Sequence, residues 1–554
     1  MHQPNYLDPV SAEYKLPWTY LHVIKDYVDM VAHLEAQPGA RAVVNFAPIL
    51  LEQIDDYAKQ VESYCQSGKG LKDSLLVSLV TPALPCNTEQ CLELMSACLR
   101  VNRETVIDRF PRFKLLADMA TRFIENHDEL AYVDEQFFAD LVMWYHLGWL
   151  GETVRRTDKR VKALMAKASR FSLHDRDLML TIIGEQLSGV LGRYRALAER
   201  GQIELSFTPY AHPIMPLLLD INTTLDAMPA APLPMSTEYP GGEARVRWHI
   251  RKGLDTFQHH FGFRPTGCWP SEGSVNNESL TVLAQEGIRW AASGESVMRN
   301  SIAHELTTEK VKQQTCIHRP YLTADKSISC FFRDDGLSDL IGFKYSKWHA
   351  DDAIADLIHH LGNIAAACKS CKETVVSIIL DGENAWEYYP ENGYHFLSAL
   401  YEQLSSHPDI EMTTFNDCLD VINPSSSLPK VVAGSWVYGT FSTWIGEADK
   451  NRGWDMLIAA KRAYDLVLAE RDFTNEECQN LERQLAICEG SDWFWWFGDY
   501  NPSGAVSDFE RLYRLQLTTL YHMLALEPPE YLSHSFTHGG GEPATGGTMR
   551  QGQE

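Results

Sequence analysis

The sequence predicts an α/β protein built on a barrel of parallel strands, with a large helical insertion and a helical layer after the barrel. Three observations lead there. Short β-branched runs alternate with helical patterns along the first three quarters of the chain. The connections between those runs are long, which fits parallel crossovers and not hairpins. No run is followed by a GxGxxG fingerprint or a Walker loop, so a barrel is favoured over an open nucleotide-binding sheet.

The first strand expected is 41–46, followed by a helix opening near Ile49. From about 51 to 200 apolar residues recur at spacings of three and four, as in Phe137, Leu141, Trp144 and Tyr145, too long a stretch for one crossover helix. Strand 202–207 follows, then a Pro-rich loop over 209–240 and a helix over 243–260. Further strands are expected at 266–269, 288–292, 329–332, 374–380 and 411–415. Helices are expected from an Asn277 cap to 286, and over 351–369 and 393–405. Past 424 the pattern changes to long helices at 455–470, 475–488 and 506–526, and the Gly-rich segment 531–554 reads as a disordered tail. The expected division is thus a barrel domain over 1–424 and a helical domain over 425–530.

Composition removes several function classes. The 554 residues carry 74 acidic against 49 basic side chains, a net charge of -25, which repels nucleic acid and anionic membranes alike. No run of about 18 apolar residues is present to span a bilayer. The first residues lack a basic segment followed by an apolar one, so no secretory leader is read there, and a cytoplasmic protein is expected. The 12 cysteines are scattered, Cys368–Cys371 is the single CxxC, and no metal set or cofactor is expected.

Residues just past the carboxyl ends of barrel strands face the active site. Two carboxylates stand there: Glu272, in Trp269-Pro270-Ser271-Glu272-Gly273, and Asp381, which ends the apolar run 375–380 and precedes Gly382-Glu383. An ionisable group closing a buried strand needs a partner or a task. For Asp381 alone, a helix cap or ion pair is as good a reading as catalysis. Two such carboxylates set among Trp and Gly point to glycoside chemistry: indoles stack on sugar faces, and an oxocarbenium-like transition state needs an anion beside it. His212 follows a strand end and reads either as a hydroxyl ligand or as a core residue. Trp436 and the run Asp492-Trp493-Phe494-Trp495-Trp496 lie outside the strands and read as domain packing or as cleft wall. No GxSxG elbow and no HExxH occurs.

Together these motifs resemble glycoside hydrolase family 57, the α-amylase and 4-α-glucanotransferase family, from residue 2 to about 530. The blocks that carry the resemblance are His2-Gln3-Pro4, Gly201 to Leu205 with His212-Pro213, Trp269 to Glu272, Asp381-Gly382-Glu383, and Trp436 through Trp444-Ile445-Gly446. The resemblance implies an incomplete (β/α)7 barrel followed by a helical domain. It places Glu272 as nucleophile and Asp381 as acid/base of a retaining, metal-free enzyme on α-glucans or maltooligosaccharides. His2, Gln3, Glu204, His212, Trp269, Glu383, Tyr388 and Trp436 are implied as substrate contacts. Asp492 and Trp495 are implied as the pair that the helical region contributes to the cleft. Tyr388 stands where many members have Trp.

Members usually carry an apolar strand before the His-Gln-Pro block, whereas here Met1 directly precedes His2. The expectation is a missing first strand, a free edge on the strand at 41–46, and a reading frame that extends upstream. Two alternatives accompany the hydrolase reading: glucanotransfer or branching on the same intermediate, and an inert glycan-binding protein. A metal-dependent polysaccharide deacetylase is disfavoured, because its Asp–His–His set is not visible. The oligomeric state is left open.

Overall fold

The computed structural model describes residues 1–82, 87–303, 316–369 and 371–541. A seven-stranded sheet runs in the order β1 (Ala42–Phe46), β2 (Ile203–Phe207), β3 (Gly267–Cys268), β4 (Trp290–Gly294), β6 (Ser329–Arg333), β5 (Tyr321–Thr323) and β7 (Ser427–Leu428). All pairs are parallel except β5–β6. One register layer, Phe46–Phe207–Cys268–Ala291–Cys330, crosses five strands and brings their carboxyl ends to one rim. Inside that rim Asn45 donates to Thr208 Oγ1 at 2.8 Å, and Thr208 donates to the Trp269 carbonyl at 2.9 Å. This polar thread fixes the loops after β1, β2 and β3 relative to one another.

The arrangement is an incomplete (β/α)7 barrel with a helical C-terminal region. Local chemistry explains the main helices. Pro48 opens Pro48–Ser67 at a position where its missing N–H costs nothing. Capping boxes at Ser172/Asp175 and Thr474/Glu477 start Leu173–Glu199 and Asn475–Cys488. The helix Asn277–Gln285 is capped by Asn276, one residue before the expected cap. Helices fill the span between β1 and β2, as the periodicity predicts. Among the described residues no helix is long and apolar enough to cross a membrane.

Three expectations need correction. The segment 374–380 runs beside β6 but makes a single bridge, Ser377 to Arg333, and is not a strand. Its polar groups bond irregularly: Val375 N–H to the His318 carbonyl, and Ile379 N–H to Ser338 Oγ at 3.2 Å. The expected strand 411–415 is irregular and passes into the helix Phe415–Val421. Residues 531–541 are packed: Leu532 is buried, Phe536 meets Phe497 at 5.2 Å, and Phe536 N–H bonds Glu510. The rest of the expected tail, 542–554, lies outside the described residues.

Met1 occupies one rung beside β1, donating its amino group to the Asn45 carbonyl at 2.9 Å and accepting from Ala47 N–H at 3.0 Å. Below that rung β1 pairs, among the described residues, with β2 alone, and it lines a cavity of about 1070 Å³ that reaches the 374–380 segment.

The C-terminal helices are tied to the barrel by a buried charge network. Glu489 receives Arg245 through Nε and Nη2 at 2.9 and 2.8 Å, and meets His249 Nε2 at 2.7 Å. Burial opposes its ionisation, but Arg245 and His249 outweigh it and hold the carboxyl at about 2. Glu489 lies two and three residues before Ser491 and Asp492, so this network positions both for the site.

Candidate active site

Glu272 sits in the tight turn Ser271–Gly273 just after β3, with φ at 56°. His212, in the loop after β2, has φ at 61°. Left-handed backbone at two non-glycine residues facing one cleft is strain of the kind held at functional sites, about 1–3 kcal/mol each. At Gly273 an added Cβ would come within 2.8 Å of the Trp269 ring, so the turn can close only on glycine.

Around Glu272 the partners converge from distant parts of the chain. Trp436 Nε1 donates to Oε2 at 3.0 Å, and Trp436 N–H donates to the Glu272 carbonyl at 3.1 Å. The other oxygen, Oε1, is buried with no hydrogen-bond partner. Facing it are His2 Nε2 at 3.8 Å and His212 Nδ1 at 3.9 Å. The two imidazoles stack with centroids 4.1 Å apart and planes within 5°. Burial disfavours a charge on either ring, but Asp492, Glu272 and Glu383 raise His2 to about 10. His212 is pushed well below its usual value by burial and by the His2 charge. The pair therefore holds one cation, on His2, with Asp492 Oδ1 3.3 Å from it. The neutral His212 is held through Nδ1 by Ser491 Oγ at 2.8 Å.

Burial raises Glu272 to about 8, helped by Asp381 and Asp492 and opposed by His2 and the Trp436 N–H. Burial also raises Asp381, with Glu383 adding to the effect, while His2 and the Asn384 amide at 2.7 Å oppose it. Asp381 thus adds to the rise at Glu272, and Glu383 to the rise at Asp381. Glu383 is the opposite case. Burial works against its anion, but the N-terminal ammonium, His2, His22 and the Tyr27 hydroxyl keep it below its usual value. It accepts from the His2 N–H at 3.0 Å and from Tyr27.

The structure thus gathers His2, His212, Glu272, Asp381, Glu383, Trp436 and Asp492. Trp269, half-buried, meets Trp436 edge-on at 5.3 Å, and both line the cavity with His2, His212 and Asp381. Gln3 is buried beside them, but its side chain is taken by the Tyr6 hydroxyl at 2.7 Å. Three implied residues fall elsewhere. Glu204 lies at the second position of β2, away from the rim, where Trp290 Nε1 and Asn416 N–H occupy its oxygens at 2.7 and 2.9 Å. Its contacts are those of a structural link, not of a sugar ligand. Trp495 packs on Trp444 at 5.9 Å, and Tyr388 is exposed at the surface. The residues that sequence reasoning missed are Tyr27, Ser491 and Arg333, whose guanidinium lies 5.2 Å over the Trp436 ring. No motif marks Tyr27. It closes a π-turn, Val23–Tyr27, a helix irregularity common at functional sites. Ligand atoms of His2, His212 and Glu272 lie within 4.8 Å of one another, close enough to share a cation.

A barrel rim that presents buried carboxyls, a buried imidazole pair and a Trp-lined wall suits a glycoside-processing enzyme. The chain belongs to glycosyl hydrolase family 57, whose description matches residues 1–429. Among solved structures it is similar to a family 57 branching enzyme from Thermococcus kodakaraensis (14% identity, TM-score 0.56), covering 97% of this chain and 90% of that one. A branching enzyme from Pyrococcus horikoshii gives 15% identity and TM-score 0.56 with 98% of each chain covered. The α-amylase AmyC from Thermotoga maritima gives 13% and 0.53 with 95% of each covered. These likenesses establish the shared fold. A comparison with curated protein sequences finds no match.

Proposed function

We propose that this protein acts on α-glucans with retention of anomeric configuration, Glu272 serving as nucleophile and Asp381 as acid/base. The observation that carries this reading is Glu272 Oε1: a buried carboxylate oxygen without a hydrogen-bond partner, on a strained turn, in a carboxyl that Asp381 helps to raise. The Trp436 N–H supports the anion at Glu272, which suits it to attack, and Asp381 carries the proton for the leaving group. Oε1 attacks the anomeric carbon while the bond to the departing sugar oxygen breaks and that oxygen takes the Asp381 proton. Water or a sugar hydroxyl then attacks the same carbon, gives its proton to Asp381 and releases Glu272. The His2 imidazolium and Asp492 hold the non-reducing sugar, and Trp269 offers it a face. The α-glucan assignment draws on the family and on the branching enzymes and the amylase whose fold the chain shares.

The test is incubation with maltooligosaccharides, with product lengths resolved by chromatography and the first anomer by NMR. Shorter products alone mean hydrolysis, and longer products as well mean transfer or branching. A first product of β configuration overturns retention. Binding without any product overturns the enzyme reading in favour of a glycan-binding protein.

A further inference from the structure

At another part of the cavity wall, one cluster of metal-ligating side chains has no part in the chemistry above. Cys316 and His318 lie in the stretch leading to β5, and Cys368 lies at the end of the helix Ala350–Ala367. One ligand atom from each falls within 4.8 Å of the others, and all three residues are half-buried. Cys316 Sγ and Cys368 Sγ are 4.0 Å apart. With Zn–S bonds of about 2.3 Å, the edge of a tetrahedron is roughly 3.8 Å, so the sulfurs already stand near that spacing. His318 Nε2 meets Asp334 Oδ2 at 2.8 Å, which turns Nδ1 toward the Cys316 thiol. Asp334 is itself immobilised, its other oxygen capping the helix Asp335–Asp339 through Leu337 N–H at 2.8 Å. A carboxylate behind a histidine is the usual outer support of a metal-bound imidazole. Cys371, whose N–H closes a turn onto the Cys368 carbonyl at 2.7 Å, completes a CxxC beside the cluster but is not one of the three that converge.

We propose that Cys316, His318 and Cys368 form a structural zinc site. Its place in the fold gives it a task. The segment 374–380 that delivers Asp381 is joined to β6 by one backbone bridge and by Arg333 Nε on the Ile379 carbonyl at 2.9 Å, and it is held at its start by Val375 N–H on the His318 carbonyl at 3.0 Å. An ion bound by His318 and Cys368 pins both flanks of that start and so steadies the approach to the catalytic carboxyl. The second ligand pair that the CxxC lacks in the sequence is Cys316-x-His318, some fifty residues upstream, brought alongside by β5 and β6.

The experiment uses the full-length protein, reduced and freed of metal, titrated with zinc chloride and with cobalt(II). Wild type is expected to retain one zinc per chain after dialysis and to melt at higher temperature with zinc than with chelator. Cobalt is expected to give a thiolate-to-metal charge-transfer band with intense tetrahedral absorption. Cys316→Ser and Cys368→Ser should abolish that band, Asp334→Asn should weaken zinc affinity about 10–100-fold, and the exposed Cys65→Ser should change nothing. Absence of the band in reduced wild type overturns the proposal, and that measurement stands even if a cysteine variant fails to fold. Survival of the band in both cysteine variants also overturns it. So does recovery of a Cys316–Cys368 disulfide from protein purified in the presence of zinc.

Discussion

Trp436→Phe isolates one hydrogen bond at the centre of the site. The substitution keeps an aromatic ring against Trp269 and Arg333 but removes the N–H that meets Glu272 Oε2 at 3.0 Å. Because Oε1 has no hydrogen-bond partner, Glu272 is left with no direct donor to its carboxylate. A hydrogen bond to a charged group contributes about 1.5–3 kcal/mol, which raises the carboxyl by roughly 1–2 pH units. With the anion as the proposed nucleophile, the acid limb of kcat/KM should move to higher pH by that amount. Near neutrality the rate should fall about 10- to 100-fold. The assay is a pH–rate profile on a maltooligosaccharide alongside a thermal melt. An acid limb that stays in place while the melting temperature drops would refute the reasoning: Trp436 would then be a packing residue, and the rate would not read the ionisation of Glu272.

Glu272→Gln and Asp381→Asn should each lower turnover by about 10³-fold or more while the melt is unchanged, and a Glu272→Gln enzyme with most of its activity removes Glu272 from the mechanism. Gly273→Ala forces a Cβ to 2.8 Å from Trp269 at φ 58°, so stability should drop by about 1–2 kcal/mol and oligosaccharide affinity should drop with it, measured by calorimetry. Glu489, held at about 2 against an ordinary 4.5, stabilises the fold fully above pH 4.5 and loses that contribution as pH falls toward 2. The loss amounts to about 3 kcal/mol and is read from urea unfolding at stepped pH. Glu489→Gln should be less stable throughout and should lack that acid-side slope, and an unchanged slope sinks the assignment.

Much of the fold was legible because β1, β2, β4 and β6 are compact apolar runs and the long helices carry their own caps. The failures have local causes. Residues 411–415 are β-prone, yet Thr414 turns its side chain to Asp417 N–H at 3.2 Å and starts a helix instead. The run 375–380 has strand composition but finds only one ladder partner, Arg333, and bonds elsewhere to side chains and a loop carbonyl. In the site, Glu272, Asp381, Glu383, His2 and His212 were legible as strand-end or motif residues. Glu204 stands apart from the gathered residues because it enters β2 at the amino-terminal half, a position that strand direction separates from the rim. Tyr27 and Ser491 carry no pattern, since their roles follow from packing between segments far apart in the chain.

That remoteness has a kinetic meaning. His2 meets Glu383 across 381 residues and reaches Asp492 near the far end of the chain, while Ser491 holds His212 across 279. Contacts of such separation are slow to form, because the entropy of closing the intervening loop must be overcome first. The cleft is therefore among the last features to assemble during folding, after the barrel and the helices that follow it have docked. Recovery of activity on refolding should lag behind recovery of helical circular dichroism. A chain halted before residue 490 would retain Glu272 and Asp381 yet leave His2 without Asp492 and His212 without its hydroxyl partner.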